Sequence, residues 1–168
     1  MVKTVRRLAT ALAATVLVLG FTPAVSEATP AYASRIVSRH SGKCMEVDHG
    51  SLDSGRRVLQ WHCHGGQHQL WRAVDMKTGY VQLRVEHSDK CLEVDHGYLH
   101  AGAAVLQWDC HGGTHQQWQQ IPLGDGSYAY RARHSGRCLE IEGAGLDAGA
   151  WLLQWECHYH QHQRWAFG

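Results

Sequence analysis

The sequence predicts an all-β domain made of three copies of one unit, on three observations. Cys44, Cys91 and Cys138 stand 47 residues apart, as do Cys63, Cys110 and Cys157, and again Trp71, Trp118 and Trp165, with no insertion or deletion between copies. A period of this size marks a repeat architecture whose units bury one continuous core between them. Short runs rich in β-branched and aromatic residues alternate with glycine-marked turns, and no window sustains a helical period.

Residues 1–33 stand outside the repeats. Lys3, Arg6 and Arg7 form a positive leader, residues 8–20 an apolar run, and Ala31, Tyr32 and Ala33 a small-x-small cleavage site, which is the build of a secretory signal peptide. The apolar run is short for a bilayer, and no other stretch approaches the ~20 apolar residues a span needs. A secreted, extracellular protein without membrane insertion is therefore expected. Cleavage after Ala33 leaves residues 34–168, one domain by length, with 13 Lys plus Arg against 14 Asp plus Glu and a formal charge of −1. No clustered basic face remains for nucleic acid. All 14 His remain, so the chain becomes cationic as pH falls toward ~6.

The repeats run over about 34–80, 81–127 and 128–168, and fourteen positions are identical in all three. In the first, residues 35–40, 44–47, 58–63 and 69–74 read as strands, separated by Ser41 and Gly42, by the 48–55 loop and by Gly65 and Gly66. Four strands per repeat make about twelve. Each repeat also holds two Cys 19 apart. Six Cys in a small exported chain read as a disulfide set, and the repetition makes Cys44 to Cys63, Cys91 to Cys110 and Cys138 to Cys157 the simplest pairing.

If bonded Cys face each other across an antiparallel ladder, Glu46 lies opposite Trp61, Glu93 opposite Trp108 and Glu140 opposite Trp155, each pair on the face of its disulfide. A carboxylate beside an indole suits a sugar. The C–H face of a pyranose lies on the ring, and its hydroxyls donate to the carboxylate.

The run Cys44, Met45, Glu46, Val47, the run Leu59, Gln60, Trp61, His62, Cys63, and the triplet Gln69, Leu70, Trp71, repeated three times over the whole mature chain, resemble the ricin B-chain type of lectin domain, also classed as carbohydrate-binding module family 13. The resemblance implies a β-trefoil: a six-stranded barrel closed at one end by three hairpins, with one potential sugar pocket per repeat and the triplet Trp in the core. Family pockets use an Asp two residues after the first Cys, an aromatic two before the second, and an Asn-Gln pair leading into the Trp. By that correspondence the sugar-binding residues are Glu46, Glu93 and Glu140 in place of the Asp, Trp61, Trp108 and Trp155 as the aromatic, His68, His115 and His162 in place of the Asn, and Gln69, Gln116 and Gln163. The family's frequent Gln two before the aromatic is Leu59, Leu106 and Leu153 here, with Gln60, Gln107 and Gln154 shifted by one.

His64 and His68 stand four apart, as do His111 and His115, and His158 and His162, but zinc pairs at this spacing commonly sit on a helix and the Cys are taken up in disulfides, so neither metal nor cofactor is expected. Glu46 and Asp48 share a face as glycosidase carboxylates do. Triplication argues against an enzyme, because catalysis needs one site held to tight tolerance whereas weak binding gains from copies. A protein-binding or inhibitory trefoil is the alternative, yet repetition is strongest in the pocket positions. The expected partner is a glycan or polysaccharide, bound by a monomer, with the third repeat the most divergent: Glu142, Gly143 and Trp151 replace Asp48, His49 and Arg57.

Overall fold

The structure is a computed structural model that describes residues 32–168. The signal-peptide reading lies outside the described residues except for Tyr32 and Ala33. Twelve strands follow in order: β1 Ser34–Ser38, β2 Cys44–Val47, β3 Arg56–Trp61, β4 Leu70–Asp75, β5 Val81–Val85, β6 Cys91–Val94, β7 Val105–Trp108, β8 Trp118–Pro122, β9 Tyr128–Ala132, β10 Cys138–Ile141, β11 Leu152–Trp155 and β12 Trp165–Phe167. There is no α-helix among the described residues, and no helix long and apolar enough to cross a membrane.

Six strands close a ring. β1 pairs with β4, β4 with β5, β5 with β8, β8 with β9, β9 with β12, and β12 with β1, all antiparallel. A closed ring leaves no unpaired edge, so the barrel needs no partner to satisfy its backbone. The hairpins β2–β3, β6–β7 and β10–β11 cap one end and touch each other in a triangle, through Arg56 with Gln107, Leu59 with Trp151, and Ala104 with Leu153. This is the β-trefoil.

Apolar residues at alternate positions of the strands converge on one core, whose largest members are Trp71, Trp118 and Trp165. Each indole N–H also finds a carbonyl, of Met45 at 3.0 Å, Leu92 at 3.0 Å and Leu139 at 3.3 Å. The ring therefore buries its area without orphaning its one donor. The three Cys pairs are bonded as expected.

The register differs from the expectation. Cys44 lies opposite Trp61, and Glu46 opposite Leu59; Cys91 with Trp108 and Cys138 with Trp155 repeat the offset. The chain leaves the ladder after Trp61, so Cys63 sits beyond the strand end and the disulfide is a diagonal clasp, not a rung of the ladder. The offset is two residues, which preserves the face: Glu46 and Trp61 stay on one side as diagonal neighbours. β3 also starts earlier than its apolar run, at Arg56, because Arg56 and Arg57 pair with the next hairpin. β4 starts one residue later than expected, since Gln69 closes the 3-10 turn Gln67–Gln69.

Candidate functional site

Clefts open on the outer face of the first and third hairpins, and the second hairpin presents the equivalent residues. In the first repeat Glu46, Leu59 and Trp61 meet there with Asp48 and His49 of the adjoining 3-10 turn. The indoles of Trp61, Trp108 and Trp155 remain 40%, 38% and 40% exposed, against 0% for Trp71, Trp118 and Trp165. That difference separates platform from core. Leu59, Leu106 and Leu153, directly opposite the glutamates, are buried and form an apolar floor.

A layer beneath holds the carboxylate. Gln69 is fully buried and uses both amide hydrogens, donating to Glu46 Oε2 at 2.5 Å and to the His62 carbonyl at 2.8 Å, while its oxygen accepts the His64 N–H at 2.9 Å. Gln116 and Gln163 repeat this, at 2.6 Å from Glu93 and 2.6 Å from Glu140. A buried, satisfied amide has nothing left for a ligand. These Gln were expected among the sugar contacts; the structure places them behind Glu46, Glu93 and Glu140 instead.

Histidine forms the far wall. His64 Nδ1 accepts the Gly66 N–H at 3.1 Å, which puts its proton on Nε2, and that nitrogen donates to Glu46 Oε2 at 3.1 Å. His68 Nε2 stands 3.9 Å from Glu46 Oε1, with the two rings 5.0 Å apart. His111 and His115 meet Glu93 at 3.1 and 3.7 Å, and His158 and His162 meet Glu140 at 3.0 and 3.7 Å. Imidazole pairs four apart in zinc sites commonly sit on a helix, and no α-helix is present here among the described residues. Here the loop brings the rings together, with glycine or with His160 at its turn, and in the first repeat it packs so tightly that a β-carbon on Gly66 would stand 2.7 Å from His68 and 2.8 Å from His64. Burial lowers the pKa of His68 and of His162 despite the nearby carboxylates, so both rings are neutral at pH 7.

Two features of the site were not read from the sequence. Each platform rests on the preceding repeat: Gly55 lies under Trp108, Gly102 under Trp155 and Gly149 under Trp61, with φ of +88°, +86° and +94°. A side chain would be strained there, and at Gly55 its β-carbon would also press on the ring, 3.3 Å from Trp108. Gln60, Gln107 and Gln154 point away from the clefts. Gln107, fully buried, donates to the Ser51 and Asp53 carbonyls at 2.7 and 2.8 Å, clamping the neighbouring loop, and Gln60 and Gln154 do the same. The identity of Gly55, Gly102 and Gly149 in every repeat was the available signal.

The third cleft is wider than the first, about 470 Å³ against about 190 Å³. Gly143 replaces the His49 ring, and His160 and Gly102 join its lining. Trp151 lies elsewhere, under the Arg57 guanidinium at 4.4 Å, so that substitution belongs to the hairpin triangle.

Comparisons with known proteins agree with this geometry. The family described as ricin-type β-trefoil lectin domain matches residues 32–167. A designed threefold-symmetric protein, ThreeFoil, is 40% identical with a TM-score of 0.79, over 81% of this chain and 96% of that one. An exo-β-1,3-galactanase from Clostridium thermocellum is 28% identical with a TM-score of 0.79, over 82% of this chain but 30% of that one. The C-half of the earthworm R-type lectin, solved in complex with GalNAc, shares the fold at 19% identity and a TM-score of 0.62, over 81% of this chain and 97% of that one. Among curated protein sequences there is no significant match.

Proposed function

Since this chain belongs to the ricin-type β-trefoil lectin domain family, which supports a carbohydrate-binding role, we propose that it is an exported, non-catalytic lectin with three sugar clefts acting together. The observation that carries the reading is the threefold recurrence of a half-exposed indole beside a buried carboxylate over an apolar floor. A pyranose stacks its C–H face on Trp61, Trp108 or Trp155. Its hydroxyls donate to Glu46, Glu93 or Glu140, whose Oε2 is engaged by the Gln amide and whose Oε1 makes no hydrogen bond among the described residues. Gln69, Gln116 and Gln163 aim the carboxylate, and His68, His115 and His162 form the wall.

One such cleft binds weakly, on the order of millimolar or about 4 kcal/mol. Three on a rigid body raise avidity for a polysaccharide by roughly 10² to 10⁴ where the spacing of the sugars matches. The test is retention of the protein on glycan arrays and insoluble polysaccharides, with and without chelator. β-1,3-Galactan and GalNAc come first, since two fold relatives are described with them. Trp61, Trp108 and Trp155 changed together to Ala should abolish retention in a folded protein, and unchanged retention would sink the proposal.

A further inference from the structure

The third repeat gains an imidazole in its cleft that the others lack. His160 stands where Gly66 and Gly113 stand in the first two. Glu140, His158 and His162 already present one ligand atom each, all within 4.8 Å of one another. Donors about 2.0 Å from a tetrahedral zinc ion stand about 3.3 Å from each other. Glu140 Oε2 lies 3.0 Å from His158 Nε2 and 3.7 Å from His162 Nε2, on either side of that value. The His160 ring is 4.4 Å from that of His158 and 6.1 Å from that of His162, lining the same cavity.

We propose that the third cleft is a site for a zinc-class divalent cation, held by Glu140, His158 and His162, with the His160 ring turning in from the same cavity as fourth donor. Imidazoles with one carboxylate suit zinc and its first-row neighbours, whereas calcium and magnesium take oxygen ligands. Gln163, donating to Glu140 at 2.6 Å, supplies the outer support that orients a ligating carboxylate. His158 Nδ1 accepts the His160 N–H at 3.2 Å, so its Nε2 carries the proton. Metal at Nε2 moves that proton to Nδ1 of the same ring and opens the bond to the His160 amide. The first two repeats hold the same three donors without a fourth, and are the weaker sites. Glu140 and His162 also belong to the proposed sugar cleft, but the inference rests on donor geometry, and its test is run without sugar.

The test is calorimetric titration of the disulfide-intact protein, freed of metal with chelator, with zinc chloride alone and with magnesium chloride as control. The expected result is one tight zinc per chain followed by weaker binding, with no magnesium heat. His160→Gly, which restores the residue of the other repeats and so preserves the turn, should weaken the tight site by about 10- to 100-fold or more, since losing a ligand costs at least as much as losing an outer-shell partner. Glu140→Gln should abolish it, with circular dichroism confirming the fold, and the His160 amide should exchange faster in the zinc-bound protein. No zinc binding, or an equally tight site in both variants, would overturn the proposal, the latter assigning the metal to scattered surface histidines.

Discussion

Replacing Gln107 by Met tests how the three repeats are held as one body. The side chain is fully buried, and Met matches its length without branching. The change removes three hydrogen bonds: to the Ser51 carbonyl at 2.7 Å, to the Asp53 carbonyl at 2.8 Å, and from the Ser88 hydroxyl at 2.8 Å. Each is worth about 0.5–1.5 kcal/mol net. Ser51 keeps a second donor in His87 Nε2 at 2.9 Å, and Asp53 is exposed, so water replaces the lost partner there. The cost is therefore near the sum of three net bonds, about 3 kcal/mol. Guanidinium unfolding with disulfides intact would show it as a lower midpoint at unchanged slope. A loss under about 1 kcal/mol would refute the clamp, because a single net bond is worth that much. Gln60→Met should cost more, since His40 donates to Ala144 and leaves the Gly145 carbonyl without that second donor.

Three further outcomes follow from the same geometry. Changing Cys91 and Cys110 together to Ser releases a 19-residue loop and should cost about 3 kcal/mol in chemical unfolding; a loss below about 1 kcal/mol would mean that the loop is held by its other contacts. Gly102→Ala forces a side chain into φ +86° with its β-carbon 3.6 Å from Trp155, and should cost about 1–2 kcal/mol and weaken only the third cleft, as read by Trp155 spectral shifts on ligand addition. Asp125 accepts hydrogen bonds from the Ser127 hydroxyl and amide and from Arg164, which hold its carboxyl below the ordinary 3.8. Its stabilising effect is complete above that value and is lost as pH falls through the lower folded one. Ser127→Ala should raise the Asp125 titration toward 3.8 by NMR, and an unmoved titration would discount the hydroxyl.

The sequence by itself determined what repetition and short-range chemistry carry. Identical spacing of Cys and Trp required three equivalent units, and with them the disulfide pairs; the burial of Trp71, Trp118 and Trp165 followed from the family resemblance, since Trp61, Trp108 and Trp155 recur just as regularly and stay exposed. Side-chain alternation put Glu46 and Trp61 on one face, and a two-residue error in register left that intact. Only the tertiary structure decided which polar groups face a ligand. Gln60 and Gln69 are the same residue type nine positions apart, both fully buried, yet one clamps a loop of the preceding repeat and the other holds a carboxylate. The partners that decide this, Gly145, Asp147 and Glu46, come from elements distant in sequence. The convergence of His64 and His68 without a helix, and the seating of each Trp platform on a glycine of the preceding repeat, arise likewise from chain segments meeting in space, where periodicity along the chain carries no information.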